Sequence, residues 1–215
     1  MKTLLVLAVA FSLVIFRPAP PYAGTGPDLK EIIGLIEQGL TTEAEKILTS
    51  SGQKTPLSDK DRFKAFYLLG LGYLNELNFK KAAEIFDLIP ARSGPGLRAA
   101  FLAKECRRAD DIRKDSPFIA ASLTILLPGL GQLYLGRYTD AAWSAVTTLI
   151  PFAAAVAGLW AGSAVLFVPA GLATLAFFGG SIYNALNQAH RGNRSRLKKF
   201  SSELTSRASA LPGEP

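Results

Sequence analysis

The feature that most constrains this chain is a long region almost free of charged side chains. Residues 116–136 contain no Asp, Glu, Lys or Arg over 21 positions, and residues 141–190 contain none over 50. A bilayer-spanning helix needs about 20 apolar residues, so the second run is too long for one span and fits two. Gly158, Gly162 and Ser163 mark the predicted turn between them. The sequence therefore predicts an all-α chain with a transmembrane domain over residues 116–190.

The first 23 residues have the order of a secretory signal. Lys2 precedes fourteen uncharged residues, and a segment with small residues and prolines then ends at Ala23. This order predicts a signal peptide over residues 1–23. An uncleaved membrane anchor is the alternative interpretation.

The basic tail, residues 191–215, bears on the number of spans. It carries six basic and two acidic residues, and basic flanks of membrane helices stay in the cytoplasm. An exported amino-terminal part with a cytoplasmic tail requires an odd number of crossings of the inner membrane. We therefore expect a multi-pass, three-helix membrane domain, with spans near 117–135, 141–160 and 164–186. The reversed orientation stays open, because basic residues also precede the first span: Arg107, Arg108, Arg113 and Lys114.

Residues 24–115 form a polar and nearly neutral segment, with fifteen basic and fourteen acidic residues. Apolar residues recur there at helical spacing, and Ser58 or Asp59 can cap a helix. We expect five amphipathic helices, arranged in pairs.

The second pair has bulky and small residues at the positions Phe66, Leu69, Gly70, Tyr73, Ala82, Phe86 and Pro95. This pattern resembles the tetratricopeptide repeat, a helix pair that stacks into short arrays. The resemblance implies that Gly70 and Ala82 face each other, and that a concave groove binds an extended or helical peptide of a protein partner. The implied groove residues are Lys64, Tyr67, Leu71 and Asn75. Packing of the helices on themselves, or on a twin copy, is the alternative.

A Pro-Gly motif opens the membrane domain, at Pro128, Gly129, Gly131, Gln132, Tyr134 and Gly136. It resembles the signature of TM2-type membrane domains, which implies a helical hairpin but no particular activity. Proline cannot continue the hydrogen bonds of a helix, so a helix should stop near Leu127. The motif is then either a re-entrant binding loop or a device for packing and turning.

The sequence contains no nucleophile–base pair, metal-ligand cluster or phosphate-binding loop, so we expect no enzyme, no metal and no cofactor. No basic face of the folded segment indicates nucleic acid. Gly158 and Gly162 form a GxxxG pattern that permits a homo-oligomer. Cys106 has basic neighbours that would lower its thiol pKa, although a plain helical position is the simpler interpretation. The predicted function is a bilayer-anchored adaptor of the bacterial envelope; a small transport or lipid-contact subunit and an assembly factor are the alternatives.

Overall fold

The computed structural model describes residues 29–50 and 57–211, and this part of the chain is helical without strands. The predicted signal peptide lies outside the described residues. The first helices are α1 (Leu29–Glu37), α2 (Thr41–Ser50), α3 (Asp59–Asn75), α4 (Phe79–Asp87) and α5 (Gly96–Arg107). After a 3₁₀ turn (Arg108–Asp111) follow α6 (Pro117–Leu126), α7 (Leu130–Tyr134), α8 (Tyr138–Trp160) and α9 (Ala164–Ser209).

Helices α1 to α5 form the helical domain, and they match the five helices that the sequence predicts. The predicted Ser58 cap is confirmed, because its side chain accepts a hydrogen bond from the Asp61 amide at 3.2 Å. Leu69 and Phe86 have no exposed surface and lie in the apolar core. A methyl group at Gly70 would come within 2.5 Å of the Phe86 ring, so Phe86 is the neighbour that requires glycine there, where Ala82 was expected.

A polar network ties α2 to α3 and α4 at the edge of this core. Glu45 accepts hydrogen bonds from the Tyr73 hydroxyl and from Lys81 Nζ, the latter at 2.9 Å. The Tyr73 hydrogen bond holds the pKa of Glu45 below its usual value, against the opposing effect of burial. Glu45 belongs to the first predicted helix pair, whereas Tyr73 and Lys81 belong to the second. The network therefore joins the two pairs, beside the buried Tyr73.

Helices α8 and α9 form an antiparallel hairpin at the predicted position. Its turn contains Gly162, whose φ of +63° is a left-handed conformation that glycine adopts without strain. A methyl group on Gly158 would lie 2.7 Å from the Phe167 amide nitrogen. Gly158 therefore lets α8 approach α9 within one chain, at the GxxxG pattern that also permitted a homo-oligomer.

Two described helices, α8 and α9, are long and apolar enough to cross a bilayer. Helix α8 has 23 residues and a length of about 34 Å at 1.5 Å per residue. The expected first span, 117–135, has a different structure. It consists of α6 with 10 residues and α7 with 5, separated by the Pro-Gly turn, and neither is long enough to span.

Helix α9 continues for 46 residues, far beyond its apolar part. The predicted boundary between membrane domain and basic tail, at residues 190 and 191, falls inside this helix. We call residues 190–209 the tail helix. Its Leu204 and Ala208 are each 1% exposed and belong to the same apolar core as Leu69 and Leu102. The tail helix is therefore packed onto the helical domain.

We expect Leu204→Ala to destabilise the helical domain by about 2–5 kcal/mol, because it removes a buried side chain and leaves a cavity. Glu203→Ala, at the exposed neighbouring position, is the matched control and should change stability by no more than about 0.5 kcal/mol. Hydrogen exchange of α3 and α5 in the full chain measures both effects. Equal protection in the two variants would show that the tail helix contributes nothing to this core.

Candidate functional site

The four predicted groove residues do not form an open surface. Tyr67 is only 7% exposed, and its ring centroid lies 5.9 Å from that of Phe86. Leu71 is half-buried against the apolar core, whereas Lys64 and Asn75 are exposed. Burial raises the pKa of the Tyr67 hydroxyl, and the charge of Arg98 acts in the opposite direction. Tyr67 is thus part of the core, and a partner cannot reach it in this arrangement.

The tail helix packs against part of the surface that was predicted to bind a peptide. It lies against α3 and α5, and the Ser201 hydroxyl donates to the Leu74 carbonyl at 3.1 Å. At the far end, Arg98 donates two hydrogen bonds to the Leu211 carbonyl, at 3.1 and 2.9 Å. The occupant of this part of the groove is therefore a helix of the same chain.

A second contact fixes the tail helix where the helical domain meets α6. The Asn193 side chain accepts from the Asp115 amide and donates to the Asp115 carbonyl, both at 2.8 Å. Arg196 bonds the Asp115 carboxylate at 2.7 Å and the Arg113 carbonyl at 3.1 Å. The Asp115 side chain is 7% exposed, so its charge is paired within a largely buried junction.

The Pro-Gly motif forms a tight turn between α6 and α7. As expected, α6 stops beside Leu127, whose backbone is extended. Gly129 has a φ of +99°, and a methyl group there would lie 2.6 Å from the Ala141 carbonyl oxygen. The Tyr134 hydroxyl accepts a hydrogen bond from the Ser116 amide at 3.2 Å. Since Ser116 precedes α6, this bond shows that α7 returns toward the start of α6.

Gly131 and Gln132 hold α7 against its neighbours. A methyl group on Gly131 would lie 2.1 Å from the Ala120 carbonyl oxygen, so α6 and α7 touch at their backbones. Gln132 has no exposed surface, and its Nε2 donates to the Ser181 carbonyl of α9 at 3.3 Å. Gly136, with a φ of +73°, ends the motif just before α8. These contacts match the interpretation of the motif as a packing and turning device.

A polar cleft of about 270 Å³ lies between α8 and α9, next to Gln132. The hydroxyls of Ser144 and Ser181 bond each other across the two helices. Asp140 accepts hydrogen bonds from Arg137 and from Gln188, the latter at 3.2 Å. The sequence did not single out this cleft, because the pairs that build it are 37 to 49 residues apart. Residues that line the cleft include Asp140, Trp143, Ser144, Phe177, Gly180, Ser181 and Asn184.

A second cleft, of about 670 Å³, opens at the start of α3, beside the loop that leads into α5. Lys60 and Lys64 contribute positive charge, Asp61 is the acidic residue, and Phe63 and Pro95 provide apolar surface. Of the four predicted groove residues, Lys64 lines this cleft.

Cys106 is buried, and burial raises its thiol pKa to about 12, although Arg107 acts in the opposite direction. The effect of burial outweighs that of the basic neighbour, in line with the simpler interpretation of Cys106 as a plain helical residue, and the thiol is protonated at neutral pH. Within residues 29–50 and 57–211, no group of three or more His, Cys, Asp and Glu side chains is arranged to hold a metal ion.

In comparisons with known proteins, no family model, no curated protein and no solved structure matches this chain.

Gly131→Ala should destabilise the α6–α7 turn by about 1–3 kcal/mol, because its methyl group would overlap a backbone oxygen that cannot move aside. Gly179→Ala is the matched control, since nothing lies within 4 Å of a methyl group at that position of α9. Thermal unfolding of the purified chain in detergent compares the two. A melting temperature that is the same for both variants would contradict the close contact of α6 and α7.

Proposed function

We propose that this protein is a membrane-anchored protein–protein interaction adaptor. One observation carries the proposal: Leu204 and Ala208, at the polar end of a helix whose other end is apolar enough to span, are buried in the core of the helical domain. The domain is therefore fixed to its anchor by a continuous helix. Such an arrangement holds a binding surface at a set position above a bilayer.

The exposed surface of the hairpin supports membrane insertion. Large apolar side chains cover the outside of α8 and α9; among them Ile150 is 65% exposed, Leu172 64% and Leu175 70%. A soluble protein rarely exposes a continuous apolar surface of this kind. Trp143 and Tyr138, at the start of α8, match the aromatic residues that favour a membrane interface.

The helical domain and the tail helix belong on one side of the membrane in this proposal, because they pack together and the hairpin crosses twice. Exposed basic residues lie where both chain segments reach the hairpin: Arg113, Lys114, Arg191 and Arg194. Basic flanks favour the cytoplasmic side. We therefore place both parts in the cytoplasm, against the inner membrane. In this placement the chain has two spans where three were expected, and residues 24–115 stay in the cytoplasm.

The partner surface in this proposal is the cleft beside Lys60 and Lys64. Tyr67 is buried in the core, whereas Lys64, at the start of α3, stays open. Two lysines around a half-buried Phe63 favour an acidic segment that carries an apolar side chain. The alternative function is a small transport or lipid-contact subunit, and the polar cleft of the hairpin is the feature that supports it.

A photoreactive residue in place of Lys64 should crosslink in cells to one reproducible protein. The crosslink should fall by about tenfold when Lys60→Glu reverses the charge of the cleft. A photoreactive residue at Lys46, an exposed lysine of α2, is the matched control. Equal capture at both positions, or a crosslink at Lys64 that is indifferent to Lys60→Glu, would refute this partner surface.

A further inference from the structure

The polar cleft of the hairpin lies where a bilayer would present its headgroups. Asp140 is in the first turn of α8, next to Arg137, and the aromatic ring of Trp143 follows. Ser144 is one turn deeper, and Phe177 and Gly180 form the opposite wall. Gly180 has open space around its Cα, so it widens the cleft toward the outside of the hairpin. The cleft therefore covers about two helical turns, or about 10 Å, and in the proposed placement of the hairpin it runs from the membrane surface into the apolar zone.

Two glutamines bond the residues that form the wall of this cleft. The Gln132 and Gln188 side chains donate their amide protons to residues of the cleft wall, to Ser181 in one case and to Asp140 and Asn184 in the other. The Oε1 atoms of both glutamines are buried and have no hydrogen-bond partner within the described residues. The acceptor that the cleft itself presents is the Asp140 carboxylate, whose side chain is partly exposed.

The charges of the cleft are arranged as a dipole at its mouth. Asp140 Oδ2 accepts from Arg137 Nε, and the side chains of these residues are 32% and 51% exposed. Both charged side chains are therefore accessible to a ligand that carries two opposite charges. A headgroup with a phosphate and a primary ammonium carries such a pair, with three N–H donors on the ammonium.

We propose that this cleft binds the headgroup of a phospholipid with a primary ammonium, as in phosphatidylethanolamine. The ammonium donates to the Asp140 carboxylate and the cleft oxygens, the phosphate lies beside the Arg137 guanidinium, and the glycerol and acyl chains follow the wall of Phe177. A choline headgroup has no N–H to donate, so it cannot replace these hydrogen bonds. This site is separate from the partner surface on the helical domain, and it shares with the proposed function only the placement of the hairpin in a bilayer.

A lipid series on the unmodified full chain tests the proposal. The chain is placed in nanodiscs that hold equal parts of phosphatidylethanolamine, its N-methyl and N,N-dimethyl derivatives and phosphatidylcholine, all with the same acyl chains. Native mass spectrometry then measures which lipid stays bound on release. Retention should fall stepwise with each lost N–H, by about tenfold over the series, because charge-assisted hydrogen bonds are the strong ones.

Asp140→Asn should flatten this series, whereas Asp111→Asn, an exposed carboxylate of the 3₁₀ turn, should leave it unchanged. Retention that is equal across the four lipids of the unmodified chain would overturn the cleft proposal while leaving the adaptor untouched. A parallel mixture also contains phosphatidylglycerol with the same acyl chains; its preferential retention with a flat methyl series would also overturn the proposal, and would assign lipid contact to the basic side chains. A chain that retains no phospholipid at all would overturn the cleft proposal and leave the adaptor untouched, because membrane insertion does not require a lipid that stays bound.

Discussion

The packing of the tail helix into the helical domain is the contact on which the rest of the structure depends. An isolated polar helix is marginal in water, and the polar half of α9 is stabilised by burying Leu204 and Ala208 between α3 and α5. Because α9 is continuous, this contact sets the direction in which the hairpin leaves the domain. The cleft beside Lys60 and Lys64, at the start of α3, stays open.

The junction at Asp115 sets the register of this packing. The Asn193 side chain bonds both the amide and the carbonyl of Asp115, and Arg196 neutralises the buried Asp115 carboxylate. A buried ion pair adds little net stability, but removing one partner is costly, so such contacts select a single alignment. Because Asp115 lies just before α6, this alignment of the tail helix sets the position at which α6 begins. The hydrogen bond between Tyr134 and Ser116 then sets the position of α7 after the Pro-Gly turn.

Sequence reasoning succeeded where the signal is local and failed where distant segments meet. The five helices, the Ser58 cap, the turn at Gly162 and the helix stop at Leu127 follow from spacing, capping and glycine chemistry. Counting uncharged residues misjudged 117–135, because it ignored the length lost at the Pro-Gly break. In the tail, one face of the helix carries the apolar residues Leu197, Phe200, Leu204 and Ala208. This spacing predicts that the face is packed, but it does not identify the surface on which it packs. The Gln132–Ser181 pair, 49 residues apart, had no such signal.

The most direct test of this account is the membrane side of three single cysteines, introduced at Lys46, Ala161 and Glu203 in a chain with Cys106→Ser. All three positions are exposed, in the helical domain, the hairpin turn and the tail helix. An impermeant maleimide is applied to sealed inside-out and right-side-out vesicles. The account predicts that the cysteines at 46 and 203 react from the cytoplasmic face, and the one at 161 from the opposite face. Reaction of positions 46 and 203 from opposite faces would contradict it.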